Sequence, residues 1–130
     1  MAKKKYLIDT DIIIDFFKGR FYLNNKINLV GSDNCFVSEI TIAELKFGAL
    51  KSRNVQKQHD NIEKLQSKFQ VIPISRVLDI YASERLRLER AGRRIQDFDL
   101  LIAGTALKED MILVTGNEQH HSRESSRYFY

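Results

Sequence analysis

The sequence contains one cysteine, Cys35, in 130 residues. That excludes an intramolecular disulfide framework and a zinc site built on thiolates. Cys35 sits in "NCFVSE", which reads as a strand, where a free cysteine behaves as a small buried hydrophobe. Proline is almost missing as well: Pro73 is the only one, and no low-complexity tract or repeat accompanies it. Nothing marks a linker, so residues 1–130 read as one domain, long enough to bury a core. No apolar run nears the roughly 20 residues that span a bilayer. The basic start "MAKKKYLIDTD" has the charge of a signal peptide, but Asp9 and Asp11 break its apolar run and no small-residue cleavage site follows. The expectation is a cytoplasmic protein with no membrane attachment.

Charge excludes less. The formal balance is +4, mildly favourable to a polyanionic partner and not diagnostic of one. An apolar fraction of 43% against 29% charged argues for a packed domain over a disordered one. Four short apolar runs, Tyr6–Ile8, Cys35–Val37, Val71–Ile74 and Met111–Val114, have the length of buried strands. Helical periodicity fills the segments between them. "ITIAELKFGAL" spaces Ile40, Ala43, Phe47 and Leu50 by three and four. "VQKQHDNIEKLQSKF" does so with Val55, Ile62, Leu65 and Phe69, and "RVLDIYASERLRLERAG" with Val77, Tyr81, Leu88 and Ala91. Gly92 then reads as a helix stop, and Ala103, Gly104 and Ala106 in "DLLIAGTALKED" favour close packing. Strands alternating with helices predict an α/β fold, a central, mainly parallel sheet of about four to five strands flanked by helices. Such sheets bind ligands at the carboxyl ends of their strands.

That rule gives the acids their meaning. Asp9 follows Tyr6–Ile8 directly and stands at the end of the first strand, as a turn residue or as part of a site. Asp11 reads as the N-cap of the helical "IIIDFFKG", and Asp15, one turn on, as a solvated helix residue. Glu44 shares the 0, 4, 7 spacing of Ile40 and Phe47, which puts a carboxylate along an apolar stripe unless it snorkels to solvent. In "IQDFDLLIAGTAL", Asp97 reads as the N-cap and Asp99 falls in the first turn, so capping explains one acid more easily than both. Acids clustered at apolar edges need a cation, or they take up protons. An oxygen-only donor set, with no cysteine or histidine in these motifs, favours Mg²⁺ or Mn²⁺, suited to attack on phosphate esters.

"YLIDTDIIID", "ITIAELKFGAL", "IQDFDLLIAGTAL" and "MILVTGNEQH" stand in the order and approximate spacing of a PIN domain. More narrowly, the chain resembles the VapC toxins of bacterial type II toxin–antitoxin pairs over nearly its whole length. The resemblance implies a metal-dependent endoribonuclease acting on RNA of the tRNA or rRNA class, a homodimer, and a cognate VapB-type antitoxin that inhibits it. It also implies Asp9 and Asp99 as direct metal ligands, and Glu44 as a ligand or an orienter of the attacking water. Thr10, Asp97 and Thr115 become auxiliary positions. At the fourth metal position many relatives carry an acid, whereas "TGNEQ" offers Asn117, which brings no charge and would hold a second metal weakly; Glu118 is adjacent.

Other features have plainer readings. Arg85, Arg87 and Arg90 fit a solvated helix face paired with Glu84 and Glu89. Arg93 and Arg94, on the loop into the site, are candidates for RNA phosphates. His120 and His121 have no evident third ligand, His59 reads as a surface residue, and Tyr128 and Tyr130 as packing in a short final strand. Two alternatives stay open. "DTD" after a strand also resembles the nucleophile motif of haloacid-dehalogenase-type phosphatases, and a PIN scaffold could bind RNA or protein without cutting.

Overall fold

The computed structural model describes residues 3–116. Tyr6–Ile8 forms strand β1, Cys35–Ser38 β2, Gln70–Ile72 β3 and Ile112–Val114 β4. Among the described residues six α-helices accompany them: α1 (Thr10–Phe17), α2 (Leu23–Val30), α3 (Glu39–Lys51), α4 (Val55–Lys68), α5 (Leu78–Arg90) and α6 (Asp97–Lys108). All pairings are parallel, in the order β3-β2-β1-β4. Among the described residues no helix is long and apolar enough to cross a membrane.

The two-residue period of the strands sorts side chains onto two faces. Leu7 pairs with Phe36 on one side and Leu113 on the other, and these three share a face with Ile72 and with Ile102 and Ala103 of α6. Their sequence neighbours Ile8, Cys35 and Val37 go to the opposite face, against Ile13, Ile27, Leu45 and Leu65 from α1 to α4. Cys35 is the buried hydrophobe its context implied, and burial pushes its thiol up to about 11. A thiol so protonated is inert.

Polar caps turn strands directly into helices. Asp9, one residue past β1, caps α1 by accepting from the Thr10 N–H, and Ser38 at the end of β2 caps α3 by accepting from Ile40 N–H at 3.0 Å. Capping of α1 was expected of Asp11; the structure gives it to Asp9, because the helix starts at once after the strand and Asp11 already lies in its first turn. The stop at Gly92 holds. Its φ of +69° suits a left-handed C′ residue, and the Arg93 and Gly92 N–H groups reach back to Leu88 and Glu89 carbonyls at 2.9 and 3.1 Å.

One periodicity reading fails. On α3, Phe47 and Leu50 are 63% and 68% exposed and Ala43 is exposed, whereas Ile40, Thr41, Ile42, Leu45 and Ala49 are buried. The reason is that α3 packs between α4 and α6 and contributes to the cores on both faces of the sheet. Ile40 joins the α6-side core while Ile42, Leu45 and Ala49 join the other, so its buried surface is broader than a single stripe. His59 on α4 is half-buried.

Where α5 crosses α6, a Cβ built on Gly104 meets Ile80 Cγ2 at 3.5 Å, ordinary contact. Gly104→Ala is therefore expected to be neutral or to stabilise the protein by up to about 1 kcal/mol, since it lowers the entropy of the unfolded chain. Gly104→Leu is expected to cost about 1–3 kcal/mol by overpacking. Urea denaturation of both variants checks this, and an alanine as harmful as leucine would refute the assigned contact.

Candidate active site

The chain runs from β1 outward to β2 and β3, then crosses back to place β4 on the other side of β1. The order of strands thus reverses between β1 and β4, and ligands bind outside the carboxyl ends at such a point. The residues that leave these two strands are Asp9 and Thr115. The Asp9 N–H donates to Val114 O at 2.9 Å, tying the exits together.

Asp9 is only 5% exposed, and both of its oxygens are engaged. Oδ1 accepts from Thr10 N–H at 2.8 Å and Oδ2 accepts from the fully buried Thr115 hydroxyl at 2.7 Å. The Thr10 hydroxyl donates to Glu44 Oε1 at 2.7 Å, which uses its single hydrogen. Thr41 Oγ1 lies 3.0 Å from Thr10 Oγ1, so in this pair Thr41 is the donor. A chain Thr41 to Thr10 to Glu44 thereby aims the glutamate. Asp11 accepts from its own helix at Ile12 N–H and from Gly116 N–H at 3.1 Å. A Cβ at position 116 would stand 2.8 Å from Asp11 Oδ2, so a larger residue there would displace the Asp11 carboxylate from this position.

Asp9, Asp11, Glu44 and Asp99 line one cleft of about 420 Å³, with Thr10 and Gly116. The acids act on one another. Burial raises the Glu44 pKa and the charges of Asp9, Asp99 and Asp11 raise it further, against the lowering effect of the Thr10 hydroxyl. Asp11 is raised by burial and then by Asp9, opposed by the Gly116 and Ile12 N–H groups. Positive charge in this cleft would relieve both.

The candidates separate accordingly. Asp9, Thr10, Glu44 and Asp99 come together, and Thr115 supports Asp9 from below. Asp97 does not join them and is not the cap of α6, a position Gln96 occupies without a side-chain bond. Two residues along a helix turn about 200°, so Asp97 faces away from Asp99. Its Oδ1 accepts from Tyr81 Oη at 2.8 Å and lies 3.4 Å from Arg85. Arg93 and Arg94 are exposed and line a different, 780 Å³ cavity on that side of α6. Arg87 pairs with Glu84 at 2.6 Å and Arg85 with Glu89 at 3.5 Å, as a solvated face would. Asp15 is held by Arg20 at 3.4 Å, away from the cleft. Asn117, Glu118, His120, His121, Tyr128 and Tyr130 lie outside the described residues.

Asp11, Thr41 and Gly116 are the site residues that sequence reasoning passed over. Thr41 had a signal, a hydroxyl one turn before Glu44 on the same helix; the Gly116–Asp11 contact, 105 positions apart, had none. Asp97 and Asp99 open a helix and do not end a strand, which removes the phosphatase alternative.

A family model for the PIN domain matches residues 6–124. The chain belongs to the PIN domain family. This PIN domain is 31% identical over 121 residues to Ribonuclease VapC2 of Rickettsia felis, covering 91% of this chain and 90% of that protein. It is also 31% identical to the tRNA(fMet)-specific endonuclease VapC of Shigella flexneri, over 92% of this chain and 91% of the relative. Its fold is similar to a chain in the crystal structure of DNA-bound VapBC from Salmonella typhimurium, with a TM-score of 0.88, 26% identity and 97% of each chain covered.

A metal fits the chemistry of the cleft, since the donors are all oxygen and neighbouring carboxylates push up the pKa of Glu44 and Asp11. Among the described residues no three His, Cys, Asp or Glu side chains close around a single point. The acids stand along the walls instead, each of Asp9, Asp11 and Glu44 held by hydrogen bonds from the chain itself.

The raised pKa of Glu44 has a sign that can be tested. The folded state holds its proton more tightly than the unfolded state, so its contribution to stability is present below the ordinary carboxylate range and is lost as pH rises through the folded value. In chelator-treated protein, Glu44→Gln keeps the oxygen that accepts from Thr10 and removes the charge. It is expected to melt at higher temperature than wild type near pH 7, with the two curves converging below about pH 4. Melting curves across that range decide it; a variant less stable at neutral pH would contradict the electrostatic account.

Proposed function

We propose that this chain is the toxin of a type II toxin–antitoxin system, a cytoplasmic, metal-dependent endoribonuclease restrained by a cognate VapB-type antitoxin. The observation that carries the reading is the convergence of Asp9, Glu44 and Asp99 from β1, α3 and α6 on one cleft at the switch point of the sheet. The names of the relatives, ribonuclease and tRNA-specific endonuclease, support an RNA substrate, and the VapBC complex supports the partner. Residues 1–130 act as a single PIN domain, and the working form is a homodimer.

Asp9 and Asp99 are the direct ligands in this reading, with Glu44 a third or bridging through water, and Mg²⁺ or Mn²⁺ the cation that suits them. When bound, such an ion lowers the pKa of water and stabilises charge on the phosphate. The chain does the rest. Thr115 and the Thr10 N–H fix Asp9 in one orientation, so its oxygens need no reordering when a ligand arrives. Glu44, held through Thr10 and Thr41, orients the attacking water and accepts its proton. Asn117 supplies a neutral fourth group at most, so one strongly held metal is the working state.

The purified protein is expected to cleave single-stranded RNA with Mg²⁺ or Mn²⁺ and to stop with chelator. Asp9→Asn and Asp99→Asn are each expected to lower the rate by about a hundredfold or more, the scale of losing several kcal/mol of charge stabilisation. Circular dichroism should show both variants folded. Equal cleavage by wild type and variants would assign the activity to a contaminating nuclease, and RNA binding without cleavage would return the non-catalytic reading.

A further inference from the structure

The largest cavity among those described is not the acidic cleft. It lies on the other side of the first turn of α6, about 780 Å³, and Arg85, Arg93 and Arg94 stand on its walls. Glu89 and Asp97 line it too, but both are drawn to Arg85, at 3.5 and 3.4 Å. The Arg93 and Arg94 side chains make no ion pair or hydrogen bond with any described residue. Three arginines against two acids leave the cavity positive, with the surplus on the two that are uncommitted.

The backbone holds these two in place. The Arg93 N–H closes the end of α5 on Leu88 O at 2.9 Å, next to Gly92 at φ +69°, and Ile95 just beyond is buried. Gln96, which lines the cavity, caps α6 without a side-chain bond, so the positive end of that helix also faces this space.

Between cavity and cleft stands Phe98. Asp97 lines the first and Asp99 the second, and at 100° per residue Phe98 projects between them. It is 50% exposed although it opens a helix whose later residues are almost all buried. An exposed aromatic ring between an acidic cleft and a basic cavity is a stacking ridge.

We propose that the arginine cavity is a second subsite for single-stranded RNA, which takes phosphates flanking the scissile one, and that the strand crosses Phe98 with a base stacked on its ring. The subsite rests on the ribonuclease reading, and it places the substrate's charge where the acids do not repel it. Arg93 and Arg94 bind phosphate, the guanidinium planes offer further stacking, and Arg85 holds Asp97 and Glu89 out of the strand's path.

The test uses the whole protein, a labelled single-stranded RNA dodecamer and a dinucleotide, whose one phosphodiester is the scissile one and which offers the cavity no flanking phosphate. With chelator present, so that the RNA stays intact, fluorescence anisotropy should show dodecamer affinity falling about tenfold in Arg93→Gln/Arg94→Gln and about tenfold in Phe98→Ala. The slope of log affinity against log salt should lose about 1.4 for the double variant, two phosphates at about 0.7 each, and should stay unchanged for Phe98→Ala. In cleavage assays both variants should raise KM for the dodecamer and leave kcat/KM for the dinucleotide at the wild-type value. Wild-type dodecamer affinity in both variants, or equal losses on the two substrate lengths, would overturn the subsite. A wild-type protein that cuts neither RNA would instead defeat the ribonuclease reading, and the anisotropy would still decide the subsite.

Discussion

Asp9 is a carboxylate almost removed from water, and what surrounds it organises the whole carboxyl edge of the sheet. A buried anion with an open oxygen would be costly, so both oxygens carry partners from different parts of the chain. Thr10 N–H makes Asp9 the cap that starts α1, and the Thr115 hydroxyl draws the end of β4 against the end of β1. One side chain therefore begins a helix, joins two strand exits and faces the cleft. The Asp9 N–H to Val114 O bond lets this happen without loss of sheet pairing.

The rest of the cleft follows from that placement. Because Thr10 directly follows Asp9, its hydroxyl is delivered to α3, where Thr41 and Glu44 sit one turn apart. Because β4 ends beside α1, Gly116 reaches Asp11. The outcome is four acids around a single opening, two of them with pKa values raised by burial and by neighbouring carboxylates. An arrangement that destabilises its own charges is the opposite of what stability alone would select, and it is relieved by a cation.

The first turn of α6 stands between two cavities. Its first turn bears Asp97, Phe98 and Asp99, and helical geometry sends them in three directions: to Tyr81 and Arg85, to solvent, and to the cleft. From Leu100 through Ala106 every residue of the helix is buried, which anchors this turn rigidly.

The sequence by itself determined what is local. Short apolar runs marked the four strands within a residue or two, the carboxyl-end rule pointed to Asp9, and Gly92 marked the end of α5. These depend on backbone preference and on neighbours a few positions away. The tertiary structure decided what depends on crossover connections. Phe47 and Leu50 look like core by spacing but are exposed, because α3 is shared between two cores. Asp97 and Asp99 are two positions apart and serve different cavities, whereas Asp11 and Gly116 are 105 positions apart and touch. A pattern along the chain records which residues can be buried. Which acid meets which hydroxyl is set by the parallel β1–β4 pairing that brings distant strand ends side by side.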